Sequence, residues 1–155
     1  MTGLHPKRVV AIALVLASLC TAGSLAFAQA GKGQRQLSRA QLPAGFAIGS
    51  GSPVLALQVE IADGKVASAS PATGGGNLRA TRSGSEAEPM LTVKSDLPVA
   101  IKFDLHLSQD GERFTYTSSC ALTPGISSFE MWQQPIREFA IGNPRVVDGK
   151  RISCD

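Results

Sequence analysis

Apolar and polar residues alternate with a period of two through much of the chain, most clearly at 99–108. Val99, Ile101, Phe103, Leu105 and Leu107 take the odd positions; Ala100, Lys102, Asp104, His106 and Ser108 take the even ones. This period predicts a strand with one buried face, leaving Lys102, Asp104 and His106 together as a polar, solvent-facing strand face. Asp110-Gly111 follows, a dipeptide favoured in two-residue hairpin turns. Closing the chain there pairs Leu107 with Phe114, Leu105 with Tyr116, Phe103 with Ser118 and Ile101 with Cys120, so that the apolar sets coincide. Thr115 then faces His106 and Thr117 faces Asp104.

The same pattern begins at Val54, where Leu55, Leu57, Val59 and Ile61 alternate with Ala56, Gln58 and Glu60. Asp63-Gly64 predicts a hairpin in which Ile61 faces Val66. The glycine-rich stretch 71–89 has no aromatic residue and scattered apolar ones, and reads as a loop or frayed edge. Past the turn at Pro124-Gly125, strands are expected at 126–133 and 136–141. Asn143-Pro144 is expected to break the chain, and Asp148-Gly149 to join 145–147 to 150–154 in a third hairpin. Short strands, frequent turns and little helical period give an all-β fold. The expectation is an antiparallel β-sandwich (immunoglobulin-like) or a small β-barrel built from short hairpins, with one disulfide.

Composition changes this picture at the start of the chain. His5, Lys7 and Arg8 form a basic opening, residues 9–19 are uncharged and mostly apolar, and Ala26-Phe27-Ala28 and Ala28-Gln29-Ala30 both have the small-x-small form of a cleavage site. That order is a secretory signal peptide over 1–30, cleaved after Ala28 or Ala30. The apolar run is too short for a membrane span of about 20 residues. The expected organisation is signal peptide 1–30, flexible lead-in 31–52, and a single β domain at 53–155 with no transmembrane segment. Within the lead-in, residues 37–42 suit one helical turn before Pro43. An exported chain is placed in the periplasm or outside the cell.

Charge excludes one class of partner. Without Lys7 and Arg8, the fifteen basic residues fall to thirteen against twelve acidic ones. A nearly neutral domain with no basic stripe is a poor fit for nucleic acid. Cys120 and Cys154 remain, an even count that reads as one disulfide in an oxidising compartment. With Cys120 on the apolar side of its strand, the bond is expected in the core.

Three groups of residues are chemical candidates. Asp104 and His106 share a strand face with Ser108 nearby, an orientation pair for a general base; yet three residues in line on one strand make no attack geometry, so no catalytic residue is assigned. Met90, His106, Met131 and Trp132 supply the thioether, imidazole and indole groups suited to Cu(I), and small periplasmic copper carriers are similar in that inventory but not in spacing. Trp132 with Glu130 is the third candidate, a contact for an envelope protein or a glycan. It exists if Phe129 and Met131 are the core pair, and vanishes if Trp132 is in the core. The function expected is therefore a non-enzymatic binding or structural domain of the periplasm or cell envelope without a cofactor, with copper carriage as the alternative.

Overall fold

The computed structural model describes residues 36–42, 46–149 and 154. The chain runs β1 (Gln36–Ser38), a 3-10 turn (Arg39–Gln41), β2 (Ala47–Gly49), β3 (Val54–Ala62), β4 (Lys65–Pro71) and β5 (Leu78–Gly84). It continues with β6 (Pro89–Ser95), β7 (Ile101–Ser108), β8 (Arg113–Thr117), β9 (Ser127–Met131) and β10 (Glu138–Val146). These form two antiparallel five-stranded sheets, β1-β8-β7-β10-β2 and β4-β3-β5-β6-β9, packed as a sandwich. Among the described residues no helix is long and apolar enough to cross a membrane.

The core is the inner face of both sheets. Ile101, Phe103 and Leu105 of β7 and Phe139 and Ile141 of β10 meet Leu55, Leu57, Val59, Leu78, Ala80, Leu91 and Val93 from the opposite sheet. The β3–β4 hairpin forms as its sequence dictates. Asp63 and Gly64 both take positive φ, 51° and 70°, as a type I′ turn requires, and Ile61 pairs with Val66.

Several expectations are corrected. The segment read as a lead-in belongs to the domain from residue 36 onward. Phe46 and Ile48 are fully buried, β1 pairs β8, and β2 pairs β10. Arg39 ends β1 by donating to the Gly111 carbonyl at 2.6 Å, pairing with Glu138 and lying over the Phe114 ring. The expected helical turn is present there as the 3-10 turn. Part of the stretch 71–89 is not a loop: β5 is the central strand of its sheet. Its inward residues are Leu78, Ala80 and Arg82, and a small residue and a cation at two of three core positions hide the alternation.

The β7–β8 hairpin is offset by one residue from the expected register. Leu107 pairs with Thr115, His106 with Tyr116 and Leu105 with Thr117. The two-residue turn is replaced by a four-residue loop held by side chains. The Asp110 carboxylate accepts from the Glu112 and Arg113 amides at 2.8 Å each, and the Ser108 hydroxyl accepts from Gly111 N at 2.8 Å. Gly111, at φ 83°, completes the loop.

Asn143-Pro144 does not end a strand either. β10 continues through it, with a register shift between Gly142 and Arg145 and Asn143 at φ 47°. A bulge absorbs a proline because the extra residues owe the ladder no amide. Cys120 and Cys154 are disulfide-linked. Cys120 is half-buried and Cys154 exposed, so the bond lies at the rim of the sandwich and not in its core. The third hairpin falls largely on residues 150–153, outside those described.

The burial pattern separates two neighbouring leucines. Leu105 is fully buried, whereas Leu107 is partly exposed. Leu105→Ala should cost about 2–5 kcal/mol, and Leu107→Ala clearly less, because its site opens to water and leaves no closed cavity. Denaturant melts of the two variants test this order.

Candidate functional site

The polar face of β7 is covered rather than wet. His106 and Lys102 are each only 6% exposed, and Asp104 is half-buried. This overturns the expectation that the three residues face solvent. At His106 the cause is the hairpin offset, which turns the aromatic residues of β8 onto this side. Tyr116 sits directly across from His106, with the rings edge to face at 5.7 Å, and Ala140 flanks His106 on β10. Phe114 is buried on the same side beneath Arg39.

Asp104 is committed to structure. Its carboxylate accepts from Arg145 Nη1 at 2.8 Å and from Asn143 Nδ2 at 3.1 Å, both delivered by the β10 bulge. Ser108 is equally occupied, accepting from Gly111 and donating to Asp110. His106 therefore has an aromatic edge on one side, and its polar neighbours along the strand, Asp104 and Ser108, are both engaged elsewhere. Burial lowers its pKa, and the nearby Asp104 charge offsets this only in part.

The four groups expected to bind copper are not brought together. Met90 and Met131 are cross-strand partners on the outer surface of the second sheet. His106 lies on the outer surface of the first, so a sandwich about 10 Å thick between sheets separates them. Trp132 packs against Phe139 with ring centroids 5.0 Å apart and belongs to the edge of the core.

That placement of Trp132 also removes it as the exposed partner contact. β9 alternates as expected, and of the two possible facings the one that takes Trp132 to the core is found. Ser128 and Glu130 point inward, opposite Val93 and Leu91, while Phe129 and Met131 point out at 61% and 59% exposure. Ile126, just before the strand, is 56% exposed. The alternation alone left open which face is buried, because apolar residues stand on both, Phe129 and Met131 on one and Ile126 and Trp132 on the other.

The exposed residues border an open seam. On one side of the sandwich β2 packs against β3 and β5, and β10 against β4. On the other, one cleft lies beside β8 and a second beside β9. One, of about 480 Å³, is polar and includes Gln36, Gln109, Arg113, Thr115, Thr117 and Gln134. The second, of about 440 Å³, runs between β9 and residues 118–123, with Ile126, Phe129, Leu122 and the disulfide along it. Glu130 borders this groove, and burial raises its carboxyl pKa. The chain matches no known protein-family model, no curated protein and no solved structure at a meaningful level of similarity.

The buried imidazole has a measurable consequence. A histidine whose folded pKa is lowered binds a proton more readily when unfolded, so stability rises with pH across that window. Stability should fall as pH drops through about 6.5, the unfolded value. His106→Gln should flatten this slope while leaving the separate contributions of Asp110 and Glu130 in place. Chemical denaturation of both proteins across this range is the measurement, and parallel slopes would refute the assignment.

Proposed function

We propose that this chain is an exported β-sandwich with a binding role in the periplasm or cell envelope, its contact surface lying along β9 and the adjoining seam. The observation that carries this reading is the exposure of Ile126, Phe129 and Met131 within one short segment beside an apolar groove. Clustered exposed apolar residues mark interaction sites more often than isolated ones do. Export is supported by the basic opening, short apolar run and small-residue sites at the N-terminus, and by a disulfide suited to an oxidising compartment. A binding role is favoured over a hydrolytic one because Asp104 and Ser108 are each held in structural hydrogen bonds.

Two measurements address this. A photo-crosslinking phenylalanine analogue at position 129 should give adducts in producing cells, and the same analogue at Val54, which is 48% exposed on β3, should not. Equal adducts from both positions, or none from either, would overturn the contact surface. Mass spectrometry of the exported protein should find an N-terminus at Gln29 or Gly31; an intact Met1 would overturn export with cleavage.

A further inference from the structure

β9 is the last strand of its sheet, and no strand among the described residues pairs with its far side. Trp132 N donates to Pro89 O at 3.2 Å, which places Trp132 and Pro89 in a hydrogen-bonded pair. Antiparallel ladders alternate, so Glu130 and Ser128 turn their backbone groups toward β6. Ser127, Phe129 and Met131 therefore turn their N–H and C=O groups away from it, toward the groove. The remaining outer strands offer less. β1 and β2 have three residues each, and β4 is mostly exposed, with Ser68 tied to Glu60 and a proline at its end. Edges of that kind are the usual protected ones.

We propose that the partner on β9 is a second copy of this chain, paired antiparallel about a twofold axis through Phe129. The proposal rests on the binding reading above and names its occupant. The segment Ser127-Ser128-Phe129-Glu130-Met131 is self-complementary in that register. Phe129 meets Phe129 of the second copy, and Ser127 meets Met131 in both directions. These are the residues with outward backbone groups, and the three pairs exchange about six hydrogen bonds. On the outer surface the exposed Phe129 and Met131 side chains of both copies then cover one another.

The inner face points to a second copy in particular. Ser128 Oγ is shielded from water and has no hydrogen-bond partner among the described residues. Glu130, half-buried, has no ion pair or side-chain hydrogen bond among the described residues. In the twofold register Ser128 of each copy lies opposite Glu130 of the other, in the closer, non-hydrogen-bonded type of pair. The hydroxyl donates to the carboxylate, and both unmet groups are satisfied twice. An inward-pointing charge on an edge strand ordinarily discourages pairing; here the register supplies its donor.

The test uses the exported protein, purified with its disulfide intact. Sedimentation equilibrium over a wide dilution series should show a monomer–dimer equilibrium. Phe129→Lys sets two like charges opposite each other and should weaken association at least about tenfold, while Val54→Lys leaves it unchanged. Phe129 is exposed in the monomer, so the variant should keep its circular dichroism spectrum. Phe129→Cys should form a covalent dimer under mild oxidation, and Ser127→Cys should crosslink to Met131→Cys only when the two variants are mixed. A monomer at every concentration, or a dimer indifferent to Phe129→Lys, would overturn the proposal. Cellular adducts from position 129 that join the chain to a different protein, with a monomer in solution, would overturn the second copy while leaving the binding surface intact. No adduct at all would overturn both.

Discussion

The loop between β7 and β8 sets much of what distinguishes this sandwich. Its backbone amides are taken up by the Asp110 carboxylate and the Ser108 hydroxyl, and that closure fixes the hairpin one residue away from the register that would join its apolar sets. Because side chains alternate, a shift of one exchanges both faces of β8. Thr115 and Thr117 turn toward the interior, Phe114 and Tyr116 away from it. A threonine face does not extend the apolar core, and a polar cleft lies along it. The loop's carboxylate is strongly acidic because two amides and the Arg113 guanidinium favour its charged form, so the closure persists at ordinary pH.

The displaced aromatic residues create a second, smaller buried layer outside the first sheet. Phe114 draws in Arg39, whose guanidinium lies 5.3 Å from the ring centroid and also reaches Glu138 and the Gly111 carbonyl. That single side chain ties the N-terminal strand to the hairpin loop and to β10. Tyr116 closes over His106. The polar residues of β7 are therefore enclosed, and those that carry charge need partners. Asp104 obtains its partners from β10, where the bulge at Asn143-Pro144 delivers both Asn143 and Arg145. Breaking such a half-buried pair leaves an uncompensated charge, which makes the bulge a structural necessity rather than a local irregularity.

These features explain what could be read in the chain and what could not. The β3–β4 hairpin was legible because its turn chemistry sits in two adjacent residues, Asp63 and Gly64, and the core face of β7 because four apolar residues alternate without exception. Sandwich or barrel remained open, since strand patterns do not reveal which edges meet. β5 was hidden because Ala80 and Arg82 occupy inward positions; Arg82 is buried with its Nη2 on the Ile136 carbonyl. The hairpin offset was hidden because hydrogen bonds donated by backbone amides to Asp110 and Ser108 leave no trace in hydrophobic alternation. His106 was misplaced as a direct result, since Tyr116 covers it from a strand whose facing depends on that offset. Trp132, the candidate contact on this segment, packs at the edge of the core, and Phe129 and Met131 are the exposed residues instead.

β9 shows most clearly that burial in the core does not account for every apolar residue here. Trp132, immediately after the strand, packs on Phe139 and closes the end of the core. Ser128 and Glu130 occupy the inward positions of β9, where apolar residues would have extended the core to its edge. Phe129 and Met131 thus lie outside a core that is complete without them. Their removal should change the monomer's stability little, as for other surface positions. Folding alone therefore supplies no physical reason for a phenylalanine and a methionine at this open edge. The pairing proposed for this edge would supply one.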